Sequence, residues 1–124
     1  MSRRRLLLWI PPIVYMLAIF NFSSQSQPLP AVTTVVWDKL LHVVEYAGLA
    51  VLLARAFAGE GLSSIASIGV ALVVASLYGA SDEWHQSFVP LRDSSVRDWL
   101  ADTIGAVVGA AIYAIANTVQ RRAQ

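Results

Sequence analysis

Apolar residues dominate four stretches of this chain, residues 6–22, 40–58, 62–80 and 103–116, and polar residues gather in the short intervals between them. About 20 apolar residues rising 1.5 Å each suffice to cross roughly 27–30 Å of hydrocarbon. The pattern therefore predicts an all-α fold: a bundle of four transmembrane helices over about residues 6–22, 35–58, 62–80 and 96–119. Connections are short, a polar outer loop covers 81–98, and residues 1–124 form a single domain.

Local signals sharpen the boundaries. Pro11 and Pro12 lie inside the first run and are expected to kink it, which a membrane helix tolerates where neighbours satisfy the freed carbonyls. Ser2-Arg3-Arg4-Arg5-Leu6 has the look of an export signal, but no A-x-A-like small-residue site follows the run, so the segment is read as a retained helix. The Ser-, Gln- and Pro-rich interval 21–34 reads as a loop with Thr34 as the next N-cap, and its Asn21-Phe22-Ser23 match to a glycosylation acceptor is read as chance. Ser95-Val96-Arg97-Asp98 resembles a variant capping box opening the last helix. Within that helix, Gly105 and Gly109 form a G-x-x-x-G seam for close approach of a neighbouring helix, either in the same chain or in a homo-oligomer.

Composition agrees with a membrane class, at 56% hydrophobic and 14% charged residues. Without cysteine, disulfides, thiolate nucleophiles and Cys-ligated metal sites are excluded. The basic residues sit at segment ends instead of on one face, so nucleic acid is not an expected partner; membrane lipids are. Arg3, Arg4, Arg5, Arg55, Arg121 and Arg122 fall at one end of the expected bundle with Glu60, whereas Lys39, Arg92 and Arg97 fall at the other. The positive-inside rule then places both termini in the cytoplasm, in a multi-pass protein of the bacterial cytoplasmic (inner) membrane. Seven of the eight acidic residues and both histidines gather on the opposite, extracytoplasmic face.

On that face the spacing is suggestive. Asp38, His42 and Glu45 recur at i, i+4 and i+7 and form one stripe, in which Glu45 lies about 10 Å deeper than Asp38. A carboxylate near a helix centre costs roughly 3 kcal/mol to insert, so it is expected to face a partner or a polar cavity. Asp98 and Asp102 form a second stripe at i, i+4, expected to approach His42 or Glu45. Asp82, Glu83, His85, Gln86, Arg92 and Asp93 supply the rest. Three chemistries suit these residues: a divalent cation on Asp82, Glu83, Asp98 and Asp102; a phosphate on Arg92, with Gln86, Tyr46 and Tyr78 lining the site; and acid–base work by Asp38, His42 and Glu45. The bland alternative is a set of ion pairs fixing helix register, such as Arg92 or Arg97 with Asp82 or Asp98, and Lys39 is read as an interfacial anchor.

Three ordered motifs carry a resemblance. Asp38-Lys39-x-x-His42-x-x-Glu45-Tyr46, Tyr78-Gly79-x-x-Asp82-Glu83-x-x-Gln86-x-Phe88-x-Pro90-x-Arg92, and Asp98-x-x-Ala101-Asp102-x-x-Gly105 resemble the VanZ-like family of small bacterial membrane proteins. Leu91 departs from that pattern, in which Gly is common between Pro and Arg, and Asp102 stands where Asn is frequent. The resemblance implies a link to the cell envelope, since the family takes its name from low-level resistance to the glycopeptide teicoplanin, a drug acting on peptidoglycan precursors. The expected function is binding or modification of an envelope lipid or peptidoglycan-precursor headgroup; an enzyme would be a hydrolase or transferase at a lipid-linked phosphate. The alternatives are a non-enzymatic scaffold or binding module for envelope machinery and a proton-coupled transporter, the latter disfavoured because the inner halves of the spans are apolar.

Overall fold

The computed structural model describes residues 2–26 and 35–123. They form four helices: α1 (Arg3–Ser23), α2 (Val35–Gly59), α3 (Ser64–Gln86) and α4 (Val96–Arg122). All four are long and apolar enough to cross a membrane. Hydroxyl caps open three of them, with Ser2, Ser63 and Ser95 accepting from the backbone N–H of Arg5, Ala66 and Asp98. The expected Thr34 cap and most of the 21–34 interval lie outside the described residues.

The helices run up and down in turn. Arg4 at the start of α1 donates to the Gly59 carbonyl at the end of α2 (2.9 Å), and Asn117 near the end of α4 donates to Ser64 at the start of α3 (2.9 Å). At the other end, Ser23 closing α1 donates to Asp82 late in α3 (2.7 Å).

The core is built of small residues. Ala50, Ala54, Ala71, Ala75 and Ala106 pack around Tyr46, Leu49, Leu53 and Ile19, while Leu17, Val44, Leu77 and Ile112 point outward. In lipid, outward apolar side chains cost nothing, and small residues at contacts gain dispersion by letting backbones approach. The most extensive contact is between α2 and α4. Gly105 and Gly109 make it possible: a Cβ on either would run into the backbone of Val43 or Ala47 on α2. That seam is therefore spent inside the chain, and a homo-oligomer would need another face.

One boundary differs clearly from expectation. Helix α3 continues past residue 80 to Gln86, so Asp82, Glu83, His85 and Gln86 are helical instead of members of a loop over 81–98. No proline or glycine stops the helix before Pro90, and neighbouring elements satisfy the polar residues of its last turns. The turn that follows contains Leu91 at φ +65°, the left-handed backbone region that favours glycine.

Candidate functional site

Each of three helices brings an i, i+4 polar pair to the same end of the bundle: Asp38 and His42 on α2, Asp82 and Gln86 on α3, Asp98 and Asp102 on α4. That spacing keeps both members of a pair on one helix face, and here the three faces converge. Asp102 is 0% exposed, Asp82 4%, Glu83 7% and His42 8%. Charges buried to this degree require compensation from hydrogen bonds, counter-charges or a ligand.

Compensation within the protein is incomplete. His42 Nδ1 donates to Asp102 Oδ1 at 2.7 Å, joining the two stripes; of the two neighbours expected for Asp102, His42 is the one it bonds. Asp82 Oδ2 accepts from Ser23 Oγ (2.7 Å) and from Gln86 Nε2 (2.9 Å), and Gln86 Oε1 accepts from Arg92 Nη2 (3.0 Å). Glu83 Oε2 accepts from the Ser95 backbone N–H at 2.9 Å. One oxygen of each carboxylate is thus held in place. The other oxygens, Asp82 Oδ1, Glu83 Oε1 and Asp102 Oδ2, have no hydrogen-bond partner among the described residues, nor does the Tyr46 hydroxyl.

The remaining predicted residues divide. Lys39 pairs with Asp98 and, at 3.2 Å, with Asp38, so its ammonium serves the bundle and is not simply a headgroup anchor. Asp98, expected among the metal-binding carboxylates, has the Lys39 ammonium as its counter-charge. This pairing replaces the ion pairs expected of Arg92 and Arg97, neither of which forms a salt bridge among the described residues. Glu45 lies within electrostatic reach of His42, Asp82, Asp102 and Arg92, deeper along α2. Tyr78 donates to the Met16 carbonyl (2.6 Å) and tethers α1. His85 faces α1, stacked on Phe20 with its Nε2 3.0 Å from Ser24 Oγ, and Asp93 is exposed.

Three contributors escaped sequence reasoning. Ser23 and Ser24 reach α3 only through the fold, and nothing local marks them. Gly79 makes room for the site: a Cβ there would stand 2.9 Å from Asp102 Oδ2 and 3.2 Å from the Tyr46 ring. Its signal was the Tyr78-Gly79 pair heading the central motif.

Against this geometry the comparison with known proteins is direct. The family profile described as VanZ/LLP1 matches residues 3–117, nearly the whole chain. The chain belongs to the VanZ/LLP1 family. No curated protein and no solved structure matches it. Of the residues in the three VanZ-like motifs, Asp38, Lys39, His42, Asp82, Glu83, Gln86, Arg92, Asp98 and Asp102 make up the polar network, and Gly79 and Gly105 supply its clearance.

Proposed function

We propose that this VanZ-family membrane protein binds or modifies the headgroup of a cell-envelope lipid at the polar end of its bundle, with the arginine-rich end facing the cytoplasm. The family membership and four apolar helices make it a multi-pass membrane protein. The observation that supports a ligand is that Asp82, Glu83 and Asp102 are each oriented by a bond to one oxygen while the other points unpartnered into the interior. A network that only fixed helix register would leave few such atoms, because each costs about 1–3 kcal/mol of desolvation. Arg92 sits beside the cluster with one guanidinium nitrogen on Gln86, and the rest of its fork suits a phosphate.

The charge distribution supports the orientation. Arg3, Arg4, Arg5, Arg55, Arg121 and Arg122 sit at the end opposite the acidic cluster, as the positive-inside rule demands of cytoplasmic ends. Trp37 and Trp84 are exposed at the acidic end, where indoles mark an interface.

The test is native mass spectrometry of the protein reconstituted with a total envelope lipid extract, with phosphorus NMR to follow turnover. Selective retention or conversion of one headgroup class, lost in Asp82→Asn, is expected. Retention no different from bulk phospholipid, with no conversion, would overturn the reading.

A further inference from the structure

Something must satisfy the free oxygens of the buried cluster, and the donor geometry identifies its class. One donor atom from each of His42, Glu83 and Asp102 lies within 4.8 Å of the other two. All three residues are more than nine-tenths buried, and on the two carboxylates Glu83 Oε1 and Asp102 Oδ2 lack any partner among the described residues. Their second oxygens are fixed by the Ser95 N–H and by His42 Nδ1. Glu83 is thereby held as ligating carboxylates typically are, by a hydrogen bond from a group that is not itself a ligand, and His42, with Nδ1 on Asp102, keeps Nε2 for a ligand. Asp82, with its own unpartnered Oδ1, adds a further negative charge close by. The neighbouring cations do not neutralise the group: Lys39 is taken by Asp98 and Asp38, and Arg92 donates to Gln86.

We infer that His42, Glu83 and Asp102 hold a divalent first-row metal ion of the Mn²⁺ or Zn²⁺ type. One imidazole with two carboxylates is a mixed nitrogen–oxygen donor set, which suits these ions; Ca²⁺ and Mg²⁺ prefer all-oxygen shells. Asp38, His42 and Asp98 also lie close enough together for an ion, but the Lys39 ammonium already occupies that place. The ion neutralises carboxylates that otherwise repel one another in a low-dielectric interior. Bound there, it would also supply what an acidic cluster alone lacks, Lewis acidity toward a phosphate, and Arg92 would offer its free guanidinium nitrogens to the same group. That role for the ion, and a phosphate as substrate class, rest on the headgroup reading above; binding of the ion rests on donor geometry alone.

The experiment is a titration of chelator-washed, detergent-purified full-length protein with Mn²⁺ or Zn²⁺ alone, read by metal content per chain and, for Mn²⁺, by electron paramagnetic resonance. One ion per chain is expected. Affinity should fall by about 100-fold or more in Glu83→Gln and in His42→Gln, by comparison with the 10–100-fold typical for loss of groups that merely support ligands. Glu60→Gln should bind as the parent does, and circular dichroism with size-exclusion chromatography checks that each variant is folded. Substoichiometric binding of both ions, or folded Glu83→Gln and His42→Gln variants with parental affinity, would overturn the site. The two proposals fail separately: a protein that binds the ion but retains no headgroup keeps the site and loses the headgroup reading. Headgroup retention unaffected by chelator, in protein that binds neither ion, does the reverse.

Discussion

The lone acid at one end of the bundle and the acidic cluster at the other are treated differently by the fold. At the arginine-rich end Glu60 has both oxygens engaged, one accepting from Trp9 Nε1 at 3.0 Å and the other paired with Arg5 at 3.1 Å. Trp9 in turn packs edge-on against Phe57, so this carboxylate ties α1 to the end of α2 and is fully used in doing so. At the acidic end Asp82, Glu83 and Asp102 are more deeply buried, yet each uses one oxygen and leaves the other free. What separates a structural carboxylate from a candidate functional one is therefore how completely the protein satisfies it, and depth of burial is secondary. A bilayer strengthens the contrast, because little water is at hand to supply missing partners.

The contrast is open to attack by mutation. The largest effect is expected from Gly105→Leu, which forces α2 and α4 apart at their closest contact and removes both the bundle and the site. A loss of about 3 kcal/mol or more, seen in thermal unfolding in detergent, is the expected result; an unchanged melting temperature would mean that the seam is not what holds the polar faces together. Next, Glu60→Ala and Glu83→Gln should move metal-free stability in opposite directions. The first discards satisfied bonds and costs roughly 1 kcal/mol, discounted because Arg5 is well exposed; the second removes a like charge while keeping an acceptor for Ser95 and gains about 1 kcal/mol. Equal losses in both would erase the distinction between the ends. Ser23→Ala withdraws one donor from Asp82 and one tie on α1, for about 1 kcal/mol, with faster hydrogen exchange confined to α1 as the telling readout. The smallest change is Leu91→Gly, which relieves left-handed strain at an exposed turn residue and should raise stability by about 0.5–1 kcal/mol net of the added chain entropy.

Much of this architecture was legible beforehand, for identifiable reasons. The four spans followed from run length, and the pairs Asp38–His42 and Asp98–Asp102 followed from helical spacing, since periodicity reports which residues share a face. What spacing cannot report is which faces meet. Asp102 on His42 and not on Glu45, Lys39 turned to Asp98, and Ser23 brought to Asp82 all depend on contacts between elements. The end of α3 depends on such contacts as well. A charged stretch after an apolar run looks like a loop unless one knows that Ser23, Ser95 and Arg92 wait to satisfy it. Gly105 and Gly109 announced a close neighbour without saying whether it belonged to the same chain. The departure at Leu91 from the family pattern, by contrast, was visible in the residues, and the positive φ shows what a glycine there would relieve.

The bond from Ser23 to Asp82 has a consequence for motion as well as for stability. It makes the seating of the first helix and the occupancy of the acidic cluster two coupled equilibria. Any ligand that claims Asp82 Oδ2 competes with Ser23 and loosens the end of α1; conversely, any lateral pull on α1 in the plane of the bilayer alters how readily Asp82 accepts a ligand. By linkage the two effects are equal in free energy. The first helix is thus tied to the acidic cluster by a bond that any ligand of Asp82 Oδ2 would have to displace.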